Sequence, residues 1–165
     1  MPGTTSRTLY VIRHGEAAPS RPHADDFGRP LTDKGARDVL RLGALVQDAP
    51  PAVVWASPAE RARRTAEALV ASSTKPLPAP TFEPRIYGAT LDALYDVLRA
   101  TPDDVASAAL VGHNPGLDEL VRSLSPDDAA SLGEIPPGSL VRFAVDGAWS
   151  KLRPRGAART GFQPP

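Results

Sequence analysis

Two arginines and two histidines stand close to short apolar segments of the chain, and these residue types bind phosphate and react with it. Arg13 and His14 directly follow the first segment. Arg61 comes shortly after the second segment, and His113 shortly after the third. A guanidinium holds oxyanions in a bidentate fork, and an imidazole serves as nucleophile or general base. Brought together, these side chains predict a pocket for a compact, multiply charged anion.

The three apolar segments are predicted to be parallel strands covered on both faces. They are rich in strand-forming residues and lie at 9–12, 53–56 and 108–111. Helical patterns separate them, which indicates right-handed crossovers. A later alternating segment ends at Asp146-Gly147, which predicts a hairpin turn into residues 148–150. We therefore expect an α/β fold, a three-layer α/β/α sandwich with a mostly parallel central sheet and a C-terminal antiparallel hairpin.

Helix-start signals place anion-binding N-termini near these strand ends. Thr32 is predicted to cap a helix that runs to about Ala49, and Thr90 to cap another. Ser57-Pro58-Ala59-Glu60 combines a capping box with proline at the first helical position, and Asn114-Pro115 repeats the cap-then-proline start. Ligands of open α/β sheets bind outside the carboxyl ends of the strands, where helix N-termini offer free N–H groups.

Composition excludes several classes of protein. The 19 basic and 19 acidic residues cancel, so nothing global points to nucleic acid or to an anionic membrane. With 0 cysteines the chain has no disulfide, thiolate nucleophile or cysteine-bound zinc, which leaves His, Ser or Asp as the nucleophile at this rim. Neither G-x-x-x-x-G-K-[ST] nor G-x-G-x-x-G occurs, so a nucleotide-cradling site is unsupported.

The length fits one domain, which we expect over residues 1–153. Residues 154–165 contain Arg, Gly and Pro and almost no apolar side chains, which predicts a flexible tail. Met1–Thr8 lacks the apolar stretch of a signal peptide, and no apolar run approaches the ~20 residues that span a bilayer. We therefore expect a cytoplasmic protein that does not insert into membranes.

Four sequence elements, in this order, resemble those of the histidine phosphatase superfamily. They are Arg13-His14-Gly15-Glu16-Ala17, Arg29-Pro30-Leu31-Thr32, Ser57-Pro58 with Arg61-Ala62 and Thr65-Ala66, and Gly112-His113-Asn114-Pro115. Within that superfamily the chain is most similar to the short phosphohistidine phosphatases of the SixA type. The shared order covers roughly residues 8–153, and the strand and helix context of each element agrees with it.

The resemblance implies a phosphatase that needs neither a metal nor another cofactor. His14 is then the nucleophile that carries the phosphoryl group, while Arg13, Arg61 and His113 hold the non-bridging oxygens. A neutral imidazole is a competent nucleophile when one ring nitrogen donates a hydrogen bond, which in the family goes to a nearby backbone carbonyl. Cationic groups around the phosphoryl oxygens supply electrostatic stabilisation.

Three further residues are candidates for the same site. Asn114 is predicted to cap its helix, and its backbone N–H is a candidate contact to the phosphate. Arg29 either reaches the pocket from its loop or pairs with the acidic residues of that loop, and both alternatives stay open. Glu83 is the candidate general acid, because larger members of the superfamily place a carboxylate in this region. Pro84 and Arg85, however, depart from the family pattern.

Phosphohistidine on a partner protein is the preferred substrate, and inorganic phosphate, vanadate and tungstate are expected pocket ligands. Small phosphomonoesters are the alternative substrates, and a non-catalytic phosphate-binding domain is an alternative of another class. His23 with Asp25 and Asp26, alongside His14 and His113, offers a possible metal site, although a polar, proline-bearing stretch is more typical of a surface loop.

Overall fold

The structure, a computed structural model, describes residues 5–165 except for the side chain of Ala129. Residues 1–4, which the predicted domain and the predicted polar N-terminal segment both include, lie outside the described residues. Six strands form one sheet: β1 (Arg7–Arg13), β2 (Val53–Ala56), β3 (Thr81–Phe82), β4 (Ser107–Gly112), β5 (Leu140–Val145) and β6 (Ala157–Gln163). Their order across the sheet is β3-β2-β4-β1-β5-β6. The first four run parallel, β5 is antiparallel to β1, and β6 is antiparallel to β5.

Five α-helices accompany the sheet: α1 (Asp33–Asp38), α2 (Leu42–Leu45), α3 (Glu60–Ser72), α4 (Leu91–Arg99) and α5 (Gly116–Leu124). Four 3₁₀ turns lie at Val39–Arg41, Pro84–Ile86, Pro126–Ser131 and Trp149–Lys151. Among residues 5–165, the longest apolar helices fall well short of what crossing a membrane requires.

The alternating side chains of the central strands build a core on each face of the sheet. Leu9 and Val11 of β1 pack in the cluster that includes α4 and α5. Tyr10 and Ile12 pack in the cluster that includes α2 and α3. Each face is therefore covered by helices, and the three-layer α/β/α fold predicted from the sequence is confirmed.

Two predicted helix starts are confirmed and a third is wrong. Thr32 accepts a hydrogen bond from Gly35 N, and Thr90 accepts one from Ala93 N. The Ser57 capping box does not form, because α3 begins only at Glu60 and its N-cap makes no side-chain bond. Ser57 lies before the helix, and its hydroxyl contacts the backbone N of Ala59 and Nε2 of His113.

The predicted helix from Thr32 to Ala49 is broken into α1, a 3₁₀ turn and α2. Gly43 N donates to Ser72 Oγ, at the end of α3, at 3.0 Å. In a continuous helix this backbone N–H would instead donate to a carbonyl oxygen of the preceding turn. A Cβ on Gly43 would lie 2.3 Å from the carbonyl carbon of Ser72. This close approach explains the need for glycine where α2 meets the end of α3.

The C-terminal prediction is correct for β5 and wrong beyond it. Trp149, expected in the return strand, is fully buried in a 3₁₀ turn and donates its indole N–H to Val105 O at 2.7 Å. The return strand is β6, which pairs Val145 with Ala157 and Leu140 with Gln163. A flexible tail over 154–165 is therefore contradicted for the residues of β6.

Candidate active site

The carboxyl ends of β1, β2 and β4 meet at one rim of the sheet. His14 N donates to Gly112 O at 3.0 Å, and Ser57 N donates to Val111 O at 3.1 Å. These backbone bonds continue the parallel register just past the strands. The rings of His14 and His113 consequently lie side by side, with their centroids 5.1 Å apart. The rim predicted from the strand ends is formed as expected.

The imidazole of His14 is buried and held by the main chain. Its Nδ1 lies 2.7 Å from the carbonyl oxygen of Gly15, which can only accept, so Nδ1 carries the ring proton. The lone pair is then on Nε2. Burial above all lowers the pKa of His14 to about 4, and the charges of Arg61, Arg13 and Arg29 lower it further, while the bond to Gly15 opposes these effects. The ring is neutral at neutral pH.

Gly15 allows close packing of the segment that follows β1. A Cβ at this position would lie 2.8 Å from Val39 Cγ1 and 3.0 Å from Gly35 O. Its backbone N–H donates to Thr65 Oγ1 at 3.0 Å. The glycine thus lets the segment after β1 lie against α1 and α3, which fixes the carbonyl that holds His14.

His113 is the second buried imidazole of the rim. Its Nε2 lies 2.7 Å from Ser57 Oγ. Burial is the main cause that lowers the pKa of His113 to about 3, with smaller effects from His14 and Arg61 and an opposing one from Asp26. This ring, too, is neutral at neutral pH, so it can contribute a hydrogen bond but not a full charge.

Arg61 is buried in the first turn of α3 and binds an acidic residue that sequence reasoning did not assign to the phosphate pocket. Its Nη1 donates to the backbone oxygen of Asp26 at 2.7 Å, and its Nη2 to Asp26 Oδ2 at 3.2 Å. Tyr87 OH donates to the same carboxylate at 2.7 Å, and Arg29 Nη2 at 3.2 Å. The hydrogen bond from Tyr87 is the largest cause that lowers the pKa of Asp26.

Of the two alternatives for Arg29, the described hydrogen bonds show the pairing with the acidic loop. It pairs with Asp26 and also donates to Ala18 O at 3.0 Å, which fastens the loop between β1 and α1. Its charge is at the same time close enough to lower the pKa of His14 and of His113.

Arg13 and Asn114 share one backbone acceptor. Arg13 Nη1 donates to Ile135 O at 2.6 Å and contacts Glu134 Oε1 at 3.4 Å. Asn114 Nδ2 donates to Ile135 O at 3.2 Å, while its Oδ1 accepts from Asp118 N at 3.2 Å. The N-cap of α5 is Pro115, so Asn114, the predicted cap, lies one position before it and the proline is not the first helical residue. The segment before β5 thus positions two site residues, although no sequence motif marks it.

Four buried nitrogens of this cluster have no hydrogen-bond partner among residues 5–165. They are the Nε atoms of Arg13, Arg29 and Arg61 and the Nδ1 atom of His113. Buried polar groups are normally paired, and all four nitrogens can donate. No described group of the protein uses the hydrogen-bonding capacity of these four nitrogens.

The described hydrogen bonds of Glu83 connect it to Arg85 and not to the site residues named above. Its carboxylate accepts from the backbone N of Arg85 at 3.0 Å and from Arg85 Nε at 3.0 Å. The side-chain bond to Arg85 is the largest cause that lowers the pKa of Glu83. A general acid must carry a proton before it can donate one, so this geometry opposes the predicted role.

The acidic loop does not assemble a metal site. Asp25 accepts from the backbone N–H groups of Phe27 and Gly28, and the carboxylate of Asp26 is held by arginines. Across residues 5–165, no three His, Asp or Glu side chains lie close enough together to hold an ion.

This chain belongs to branch 1 of the histidine phosphatase superfamily, whose family model matches residues 9–123. An uncharacterised protein of Mycobacterium tuberculosis is 31% identical over 163 residues, which cover 93% of this chain and 99% of that protein. A solved structure from Nakamurella multipartitia, assigned as a phosphohistidine phosphatase SixA, is 27% identical with a TM-score of 0.83, and the match covers 97% and 96% of the two chains.

The protein histidine phosphatase SixA in complex with tungstate shares the fold. It is 23% identical with a TM-score of 0.74, over 95% of this chain and 96% of that one. The superfamily membership and these SixA-type neighbours make the chain a phosphohydrolase.

Proposed function

We propose that this phosphohydrolase removes phosphate from phosphohistidine on a partner protein, through a phosphoryl group carried on Nε2 of His14 and without a metal ion. The observation that carries the proposal is the bond from His14 Nδ1 to Gly15 O, which leaves Nε2 with its lone pair in a neutral ring. Such a ring is a nucleophile at neutral pH without prior loss of a proton.

The reaction then proceeds in two displacements. Nε2 of His14 bonds to phosphorus as the bond from phosphorus to the substrate ring breaks, and that ring, protonated by solvent on its other nitrogen, departs as neutral imidazole. Water next attacks the phosphoryl group on His14 and releases inorganic phosphate and the free ring. Donors from Arg13, Arg61 and His113 hold the non-bridging oxygens through both transition states.

The choice of substrate follows from the leaving group. An alkoxide has a conjugate acid with a pKa far above neutrality, so it needs a positioned acid, and Glu83 is held as a carboxylate by Arg85. A phosphohistidine ring that is protonated on its other nitrogen leaves as neutral imidazole, whose conjugate acid titrates near ~6.5, so this leaving group needs no positioned acid. Phosphohistidine and aryl phosphates are therefore favoured over alkyl esters.

The test is a substrate panel that contains a phosphohistidine protein, an aryl phosphate, a phosphoserine peptide and a sugar phosphate. Because general acid catalysis contributes roughly 100-fold or more, we expect kcat/KM for the first two substrates to exceed that for the alkyl esters by about that factor. In the matched control Glu83→Gln, turnover of every substrate stays unchanged.

Two results would contradict the proposal. Comparable efficiencies across the panel would favour the alternative, a phosphatase of small phosphomonoesters. Loss of activity in EDTA that added zinc or manganese restores would indicate a metal enzyme. Tungstate and vanadate are expected to compete with substrate, and the tungstate complex of the SixA neighbour supports this expectation.

A further inference from the structure

The hydroxyl group of Ser57 lies between two nitrogen atoms in a fully buried position. The backbone N–H of Ala59 donates to Ser57 Oγ at 3.2 Å. Nε2 of His113 lies 2.7 Å from the same oxygen. An amide N–H can only donate, so in the first contact the hydroxyl oxygen is the acceptor.

The position of the hydroxyl proton determines which atom donates in the second contact, between Ser57 Oγ and His113 Nε2. Ser57 is 0% exposed, so this proton cannot be given to water, and within residues 5–165 the one acceptor that Oγ reaches is His113 Nε2. If Nε2 carried the ring proton, both nitrogens would donate to Oγ and the hydroxyl proton would be buried without an acceptor. Such an arrangement is unfavourable, because buried donors are almost always paired.

We propose that Ser57 is a positioning residue that sets the tautomer of His113: its hydroxyl donates to Nε2 and thereby keeps the ring proton on Nδ1. Nδ1 of His113 is one of the buried nitrogens without a partner in the described residues. With the proton there, it is a donor for a phosphoryl oxygen, a consequence that rests on the proposed function. The lowered pKa of His113 keeps the ring neutral, so only one nitrogen is protonated at neutral pH.

The two histidines then use their rings in opposite ways. In His14, Nδ1–H donates a hydrogen bond to the Gly15 carbonyl oxygen, and the lone pair of Nε2 remains free to attack phosphorus. In His113, the lone pair of Nε2 accepts a hydrogen bond from the Ser57 hydroxyl, and Nδ1–H remains free to donate. A nucleophile and an oxyanion donor thus arise from one residue type, each through the partner at its other nitrogen.

NMR of the ligand-free wild type tests the assignment without any variant and without turnover. The chain has 3 histidines, so ¹⁵N-histidine labelling with single substitutions assigns every ring. Long-range ¹H–¹⁵N correlations distinguish protonated from bare ring nitrogens. At neutral pH we expect Nδ1 of His113 protonated and Nε2 bare. The reverse pattern overturns the proposal, whereas absence of phosphatase activity with the expected pattern counts only against the proposed function.

Substitution of Ser57 tests the consequence. In Ser57→Ala we expect His113 to move toward the Nε2-protonated tautomer, which free neutral imidazole side chains prefer. Tungstate should bind about ten- to a hundred-fold more weakly, the effect of losing one hydrogen bond to a charged ligand. Ser57→Thr retains the hydroxyl and should restore the wild-type tautomer and tungstate affinity. Weaker tungstate binding by Ser57→Ala with an unchanged His113 tautomer would contradict the positioning role of Ser57.

The matched control is Ser107→Ala. Ser107 is also a buried serine with a bonded hydroxyl, which donates to Ala49 O at 2.9 Å at the opposite end of β4. This variant should lose stability like Ser57→Ala but keep both the His113 tautomer and the tungstate affinity. Equal losses of tungstate affinity in both variants would show that general destabilisation is the cause.

Discussion

The carboxylate of Asp26 lies 3.2 Å from Nη2 of Arg61, so an arginine proposed to bind phosphate already holds an anion of its own chain. The main-chain oxygen of Asp26 accepts from Nη1 of the same guanidinium at 2.7 Å. Asp26 belongs to the loop between β1 and α1, and its carboxylate is also bound by Tyr87 OH. An incoming phosphoryl group and this carboxylate therefore compete for the donors of Arg61 and repel each other.

Neutralising Asp26 should strengthen phosphate binding. Its side chain is 44% exposed, so solvent screens the pair with Arg61, and removing the charge is worth up to ~1 kcal/mol. We expect Asp26→Asn to lower KM for an aryl phosphate and Ki for vanadate by roughly five-fold. Asp25→Asn, a neighbour that holds only backbone N–H groups, is the control. A higher KM in Asp26→Asn would mean that the carboxylate orients Arg61 for the substrate.

Replacing the proposed nucleophile should abolish turnover without unfolding the protein. His14→Asn retains a side chain that fits the buried space but has no ring nitrogen for attack on phosphorus. Wild-type protein mixed briefly with labelled substrate should show an acid-labile phosphoryl adduct, as expected of a P–N bond, and His14→Asn should show none. His23→Asn, on an exposed loop, should keep both adduct and turnover. Residual activity above a few per cent in His14→Asn would assign the nucleophile elsewhere.

The geometry of Arg61, beyond its charge, should be needed for catalysis. Hydrogen bonds to charged groups are worth roughly 1.5–3 kcal/mol, so Arg61→Ala or Arg13→Ala should lower kcat/KM by about ten- to a hundred-fold. Arg61→Lys keeps the charge without the planar fork and should recover only part of the loss. Arg64→Ala, an exposed position of the same helix, should change kcat/KM little. Full activity in Arg61→Lys would show that catalysis needs only the positive charge at this position and not the planar guanidinium group.

Acid should destabilise the fold through the two buried histidines. The pKa of His14 is lowered to about 4 in the folded chain, whereas an unfolded histidine titrates near 6.5. Between these values the unfolded state binds more protons, so the free energy of unfolding falls as the pH falls through this window. The contribution of His14 is on the order of 3 kcal/mol.

Urea unfolding at about pH 7 and about pH 4.5 measures this effect. Wild type should lose more free energy of unfolding between the two pH values than His14→Asn does, and His23→Asn should behave like wild type. Equal losses in wild type and His14→Asn would show that the ring of His14 charges as easily in the folded protein as in the unfolded one.

Removing β6 should cost much more than a flexible tail would. Truncation after Arg153 leaves the edge of β5 unpaired beside the buried side chains of Val141, Phe143 and Val145. Unpaired apolar edges promote aggregation, and a loss of several kcal/mol lowers the Tm of such a domain by at least ~10 °C. Truncation after Gln163 removes only two prolines and should shift the Tm by less than about 2 °C. An unchanged Tm after the longer deletion would mean that β6 contributes no stability.

Sequence reasoning succeeded where short-range signals determine the structure. Strand ends carry Arg13, His14 and His113 to one rim, because apolar runs identify buried strands and parallel strands end on the same side. It missed Asp26 and Ile135, which reach the site from loops whose paths depend on tertiary contacts.

The same distinction explains the errors at Ser57 and β6. Ser57 carries the local signature of a helix cap, yet its hydroxyl bonds to a ring that is 56 positions away in the chain. In β6 one large apolar residue, Phe162, packs against the core, and main-chain hydrogen bonds to β5 hold the rest. Main-chain pairing of this kind leaves almost no trace in composition.

The acceptor that orients His14 belongs to the peptide backbone. Every substitution at position 15 keeps its carbonyl group, so a conventional mutational scan can displace this oxygen but cannot delete it or change its basicity. Semisynthesis can: an ester in place of the amide between Gly15 and Glu16 makes the Gly15 carbonyl a weaker acceptor while every side chain stays the same. A sequence comparison can show that glycine is needed at this position for packing, but the atom that prepares the nucleophile is one that every amino acid carries.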